Sequence, residues 1–133
     1  MKLTAMTFAA VLFNIAPLAA QEAGSSPSRP AGVPDAVAAG WKGQKVCENL
    51  HEDDHIRVLR CTLPPNGGHE RHSHPPVFGY VLSGGRGRNT NAKGAQDFEL
   101  ETGESYTSEP VEWHESLNIG DTPLNYLIIE KKY

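Results

Sequence analysis

Three histidines fall within six positions of "GHERHSHPPVFGYVLSGG", residues 68–85: His69, His72 and His74. A fourth, His114, sits in "GESYTSEPVEWHESLN". On an extended strand residues i and i+2 face the same side, so His72 and His74 can point together into an interior. Two imidazoles so placed can bind one ion, and a third from a facing strand closes a facial set. Imidazole suits Fe(II), Zn, Cu and Ni, whereas hard Mn and Mg prefer oxygen. Three neutral histidines leave the ion its full positive charge. They also leave coordination positions open, as catalytic rather than structural sites do. The competing reading is a polar loop whose rings are solvated or hydrogen-bonded.

Strand alternation sorts the neighbours. His69 has odd parity to His72 and His74 and is expected at the surface. Glu70 precedes His72 by two and Glu112 precedes His114 by two, so each shares parity with a ligand candidate. Either can serve as ligand, outer-layer partner or proton carrier, and Glu112 is the stronger candidate. The bland alternative is a rim carboxylate in water. Tyr106 and Tyr126 can donate to a substrate oxygen, although a core tyrosine with its hydroxyl at the edge is the commoner arrangement. Arg57, Arg60, Arg86 and Arg88 are expected on outer strand faces. Trp113 alternates with His114 and is expected on the opposite face, and His51 and His55 flank a turn at Asp53-Asp54 and are expected exposed.

These residues need strands to hold them. "VCENLHEDDHIRVLRCTLPPNGG" reads as two strands around the Asp53-Asp54 turn, ended by Pro64-Pro65-Asn66-Gly67-Gly68. "VFGYVL" is a buried-strand run closed by Ser83-Gly84-Gly85. "DFELETG" is a short alternating strand, "ESYTSEPVEWHESLNIG" holds two strands broken near Pro110, and "DTPLNYLIIEKK" runs from a turn into an apolar strand. No convincing amphipathic helix is present. Many short strands with Gly and Pro turns every 8 to 12 residues or so indicate an all-β sandwich or barrel.

The chain resembles the cupins, small jelly-roll β-barrels. The first cupin motif has Gly, His-x-His, Glu, an apolar strand and Gly; here it finds His72, His74, Tyr80-Val81-Leu82 and Gly84. The second has Gly, Pro, His and then Asn; here it finds Gly103, Pro110, His114 and Asn118. The resemblance covers residues 44–131 or so and implies His72, His74 and His114 as metal ligands. Cupins usually place a Glu three or four residues after the second His, where this chain has Val77 and Phe78. A carboxylate ligand therefore does not carry over. Three histidines without a carboxylate resemble certain cupin dioxygenases, which implies a divalent ion, Fe(II) first and Zn or Ni as alternatives. Glu112 and Tyr106 would then be the catalytic candidates, handling protons beside a small-molecule substrate. A metal-dependent lyase or isomerase, and a non-catalytic cupin that binds a small ligand or metal, remain the alternatives. The resemblance also implies a homodimer.

Residues 1–20, "MKLTAMTFAAVLFNIAPLAA", have the layout of a secretory signal peptide, with Lys2 ahead of an apolar run that ends in small residues. Asn14 and Pro17 interrupt the run, which is short for a membrane anchor. Residues 21–40 are rich in Ser, Pro, Gly and Ala and read as a flexible linker, leaving 41–133 as one cupin β-barrel domain. The expected location is secreted, in the periplasm, with no membrane attachment after cleavage. The formal charge of −4 gives no reason to expect nucleic acid or an anionic membrane as partner. Cys47 and Cys61 are the only cysteines and lie at equal distances from Asp54. In an oxidising compartment that symmetry predicts a disulfide across the first hairpin.

Overall fold

The computed structural model describes residues 30–132. The expected leader and the first part of the expected linker lie outside them. The described chain is all-β, with no helix among the described residues. A two-residue hairpin comes first, β1 (Gly40–Trp41) with β2 (Gln44–Lys45). Then follow β3 (Cys47–Glu52), β4 (Ile56–Leu63), β5 (Gly68–His74), β6 (Val77–Ser83) and β7 (Gly85–Asn91). The chain closes with β8 (Gly94–Leu100), β9 (Ser105–Ser108), β10 (Val111–Asn118) and β11 (Leu124–Lys131).

Two larger sheets form the body: β5-β10-β7-β8 and β3-β4-β11-β6-β9. The expectation of a closed barrel is met only in part, because no hydrogen-bonded ladder joins one sheet to the other among the described residues. The five-stranded sheet alternates as strands with one covered face should. Leu59, Cys61 and Leu63 of β4, Val77 and Val81 of β6, and Leu124 and Ile128 of β11 are buried. Phe78, Tyr80 and Leu82 point the other way and stay about 40% exposed, a row of large apolar side chains on the outer face. Asn118 of the second motif has a structural task. Its buried amide donates to Leu63 O and Thr122 O, both at 2.8 Å, and accepts from Gly120 N at 2.9 Å. It therefore ties the end of β10 to β4 and to the turn that starts β11.

The first hairpin turns where expected. Asp53 Oδ1 accepts from the backbone N–H of His55 (2.7 Å) and Ile56 (2.9 Å), the local bonding that makes Asp a turn residue. Leu50 is the extra residue where the β3–β4 register shifts between Asn49 and His51. Beyond that bulge Cys47 lies directly opposite Cys61, their Cα atoms 4.1 Å apart, and the two form a disulfide. Upstream, the chain packs earlier than the linker boundary at residue 40 anticipates. Ala36 and Ala39 are buried, and Ser73 N donates to Pro34 O at 2.9 Å. Small alanines let this segment lie flat against β5.

Both cysteines should resist alkylation of the unreduced protein. Replacing the pair with serine should cost about 3 kcal/mol at most, the loop-closure entropy of a short loop, in urea unfolding. Two labelled thiols by mass spectrometry, or a stability unchanged by the replacement, would contradict this hairpin.

Candidate metal centre

Strands β5 and β10 pair antiparallel, and their register is broken twice. Val111 faces His74, His114 faces His72, and Ser116 faces His69. Between the first two pairs β10 carries one extra residue; between the second two β5 does. Each bulge flips side-chain parity. Two expectations based on strict alternation are corrected by this. His69 is buried, 1% exposed, on the same side as His72, rather than at the surface. Glu112 is exposed and takes no part in the cavity wall, because the β10 bulge turns it outward while Val111 and His114 face in. Glu70 is exposed as well, with Oε1 accepting from Lys42 N at 2.9 Å. Trp113 lies on the outer side, where the Arg71 guanidinium sits 3.9 Å from its ring centroid.

The bulges bring His72, His74 and His114 together, with one ligand nitrogen from each within 4.8 Å of the others. His72 Nδ1 donates to Glu70 O at 2.7 Å, so its proton is on Nδ1 and its Nε2 carries a lone pair. His74 Nδ1 donates to the Glu130 carboxylate at 2.8 Å, which frees its Nε2 in the same way. His114 Nε2 lies 2.9 Å from His72 Nε2. Two nitrogens bound to one ion at about 2.0–2.1 Å and at right angles would lie about 2.9 Å apart. His69 is not a fourth ligand. Its Nε2 donates to Ala36 O at 3.0 Å, and its ring stacks on His72 with centroids 3.7 Å apart.

Burial, with repulsion from neighbouring imidazoles, keeps His69, His72 and His114 unprotonated. It lowers His114 from its ordinary 6.5 to about 3 and His69 to about 4, and depresses His72 further still. Neutral imidazole is the ligating form. The donor set therefore fits a divalent metal ion.

The cluster opens on a cavity of about 630 Å³ between the two sheets. Leu63, Val77, Phe98, Leu124, Tyr126 and Ile128 give it apolar walls, while Asn89, Gln96, Ser108 and Ser116 add polar points. Tyr106 stands in the wall, as does Tyr126. Desolvation pushes the Tyr106 phenol up to about 12 and raises Tyr126 too, so both stay hydrogen-bond donors at neutral pH. Two cross-strand glycines make room for the aromatic rings: Gly79 opposite Tyr106 and Gly87 opposite Phe98. A β-carbon at either position would overlap the facing ring. Arg60, Arg86 and Arg88 are exposed as expected, but Arg57 turns inward and pairs with Glu130. Glu130 was missed by sequence reasoning. Its signal was available in β11, where Tyr126, Ile128 and Glu130 share one parity.

A family model described as a cupin domain matches residues 59–130, more than half of the chain. The chain belongs to the cupin family. Its fold is shared by a cupin domain protein from Bordetella pertussis Tohama I, with a TM-score of 0.63, 22% identity, and coverage of 76% of this chain and 97% of that one. An uncharacterized conserved protein with a double-stranded beta-helix domain from Klebsiella pneumoniae aligns at a TM-score of 0.56 and 20% identity, over 68% of this chain and 78% of that one. A predicted oxalate decarboxylase from Thermotoga maritima aligns at 0.51 and 21%, over 65% and 79%. No curated protein matches the cupin. At these identities the solved structures establish the double-stranded β-helix and leave the chemistry to the site.

The metal-free cupin should lose stability on mild acidification. Its buried imidazoles have folded pKa values below the ordinary 6.5, so between about pH 6.5 and 4 the unfolded chain takes up protons that the folded chain refuses. Stability is complete above 6.5 and falls below it, by about 1.4 kcal/mol per pH unit for each such ring. Urea unfolding at pH 7, 6 and 5 measures this above the carboxylate range. A flat profile would mean that these rings are not buried and neutral.

Proposed function

We propose that this cupin is an exported metalloenzyme that acts on a small organic molecule in the inter-sheet cavity, with dioxygenase chemistry on Fe(II) as the leading reading and Zn or Ni as alternative ions. The observation that carries it is the donor set. Three imidazole nitrogens converge on one edge of a largely apolar cavity, and no carboxylate is among the described residues of that cluster or of the cavity wall. An Fe(II) ion held by His72, His74 and His114 would supply the redox chemistry and the open coordination positions. The protein's own contribution is definable. The apolar walls exclude water and hold the hydrocarbon part of a substrate, and Tyr106 donates a hydrogen bond to a substrate oxygen. Glu112 is not given the proton-handling role, since its side chain is outside the cavity wall.

Export rests on the leader-like residues 1–20 and is supported by the Cys47–Cys61 disulfide, a bond that persists in oxidising compartments. The periplasm is the proposed location. A homodimer is proposed by family resemblance, and the outer-face row of Phe78, Tyr80 and Leu82 is a surface suited to it.

Elemental analysis of protein from its native compartment, followed by an oxygen-uptake screen against small organic substrates, tests the reading. Iron at close to one ion per chain with substrate-dependent uptake is expected. His114→Ala should fold and be metal-poor, while Tyr106→Phe should keep its metal and lose turnover by about tenfold or more. Full metal occupancy in His114→Ala would overturn the three-histidine site. Tight retention of a small ligand without turnover would replace the enzyme with a binding protein.

A further inference from the structure

A buried carboxylate is costly unless it is paired and hydrogen-bonded, and Glu130, 1% exposed, is both. Its Oε2 accepts from Arg57 Nε at 2.7 Å and lies 2.6 Å from the second guanidinium nitrogen of that arm. Its Oε1 accepts from His74 Nδ1 at 2.8 Å. The third guanidinium nitrogen of Arg57 donates to Asp35 Oδ2 at 3.1 Å. The other oxygen of Asp35 accepts from the backbone N–H groups of Val37 (3.0 Å) and Ala38 (2.9 Å). A continuous chain of charged hydrogen bonds thus runs from the segment ahead of β1 to a metal-ligand candidate. Asp35 and Arg57 both precede residues 59–130, the part matched by the family model.

We propose that Glu130, braced by Arg57 and Asp35, is the positioning residue of the metal centre: it fixes the His74 proton on Nδ1, aims Nε2 into the cavity, and places a negative charge one hydrogen bond behind the ligands. The inference rests on the metal reading given above. Its physical content is twofold. An imidazole held by a carboxylate cannot exchange tautomers or rotate freely, and its distal nitrogen becomes a stronger donor. In addition, three neutral ligands leave the ion's charge uncompensated. The Glu130 carboxylate lies one hydrogen bond behind His74, at second remove from where a ligating carboxylate would stand. Arg57 holds the Glu130 carboxylate in its orientation, and Asp35 keeps Arg57 in place. The same upstream segment also reaches a second ligand: Ala36 O holds His69, whose ring backs His72.

The test is metal affinity of the full chain, stripped with chelator and titrated with Zn(II) or Co(II) against a chromophoric competitor. It is run at a temperature at which circular dichroism shows every variant folded. Glu130→Gln should bind 10–100-fold more weakly, roughly the range for an outer-layer partner of a ligating histidine, and should shift the Co(II) absorption bands. Asp35→Asn keeps an oxygen for the backbone caps, removes the carboxylate charge beside Arg57, and should bind about threefold more weakly; it serves if Glu130→Gln does not fold. Val81→Ala, a core change away from the cavity wall, should melt earlier and bind as the wild type does, which separates positioning from stability. Wild-type protein that takes up no metal would overturn the metal reading and this inference with it. A wild type that binds, with Glu130→Gln and Asp35→Asn binding equally tightly, would overturn the positioning role alone.

Discussion

The pairing of His72 with His114 across β5 and β10 is the constraint on which the site depends. A regular antiparallel ladder would put His69 on the face opposite His72 and leave Glu112 in step with His114. Instead one bulge on β10 and one on β5 bracket the pair, and the second cancels the register change of the first. The ladder is the same on either side and is displaced only at the histidines. The cost is a few backbone hydrogen bonds in the middle of a sheet edge strand and its neighbour. The result is a cluster of imidazoles that no single-strand periodicity could build, at the kind of position where bulges serve to re-aim side chains.

Electrostatics then determine what the cluster can hold. Four imidazoles lie in contact in a place water barely reaches, and protonating any of them places a positive charge beside the others. His69, His72 and His114 stay neutral, the Nδ1 atoms of His72 and His74 are committed to Glu70 O and Glu130, and one nitrogen each of His72, His74 and His114 converges. Three converging imidazole nitrogens are a donor set that could hold a metal ion. The missing carboxylate of the usual cupin shell is not simply lost. A carboxylate is present at Glu130, hydrogen-bonded behind His74, and it comes from β11 instead of β6.

Much of the fold was legible because turn chemistry and alternation act locally. Asp53, Pro64-Pro65 and Pro110 end strands for reasons written in their own side chains, whereas the pairing of Cys47 with Cys61 that their symmetry about Asp54 predicts is reached only through the bulge at Leu50. Of the four clustered histidines, the family motif singled out His72, His74 and His114 and left His69 aside. What escaped was everything that depends on long-range register. No residue near His69 or Glu112 announces a bulge, so parity arguments across it failed at both. Arg57 looked like an outer-face arginine, although Leu59, Cys61 and Leu63 share its parity and are buried. Glu130 sat unnoticed in an apolar strand because a lone carboxylate near a chain end is usually solvated. Only the pairing of β11 with β4, which sets Glu130 opposite Arg57, shows why it can be buried.

The most direct measurement is anomalous diffraction from crystals of the protein loaded with Fe(II) or Co(II), collected on both sides of the metal edge. The account predicts one strong anomalous peak in the cavity, bonded by the Nε2 atoms of His72, His74 and His114, with Glu130 still on His74 Nδ1 and His69 still on Ala36 O. A peak ligated by His69, a peak held at the surface, or no ordered metal at the three histidines would contradict it.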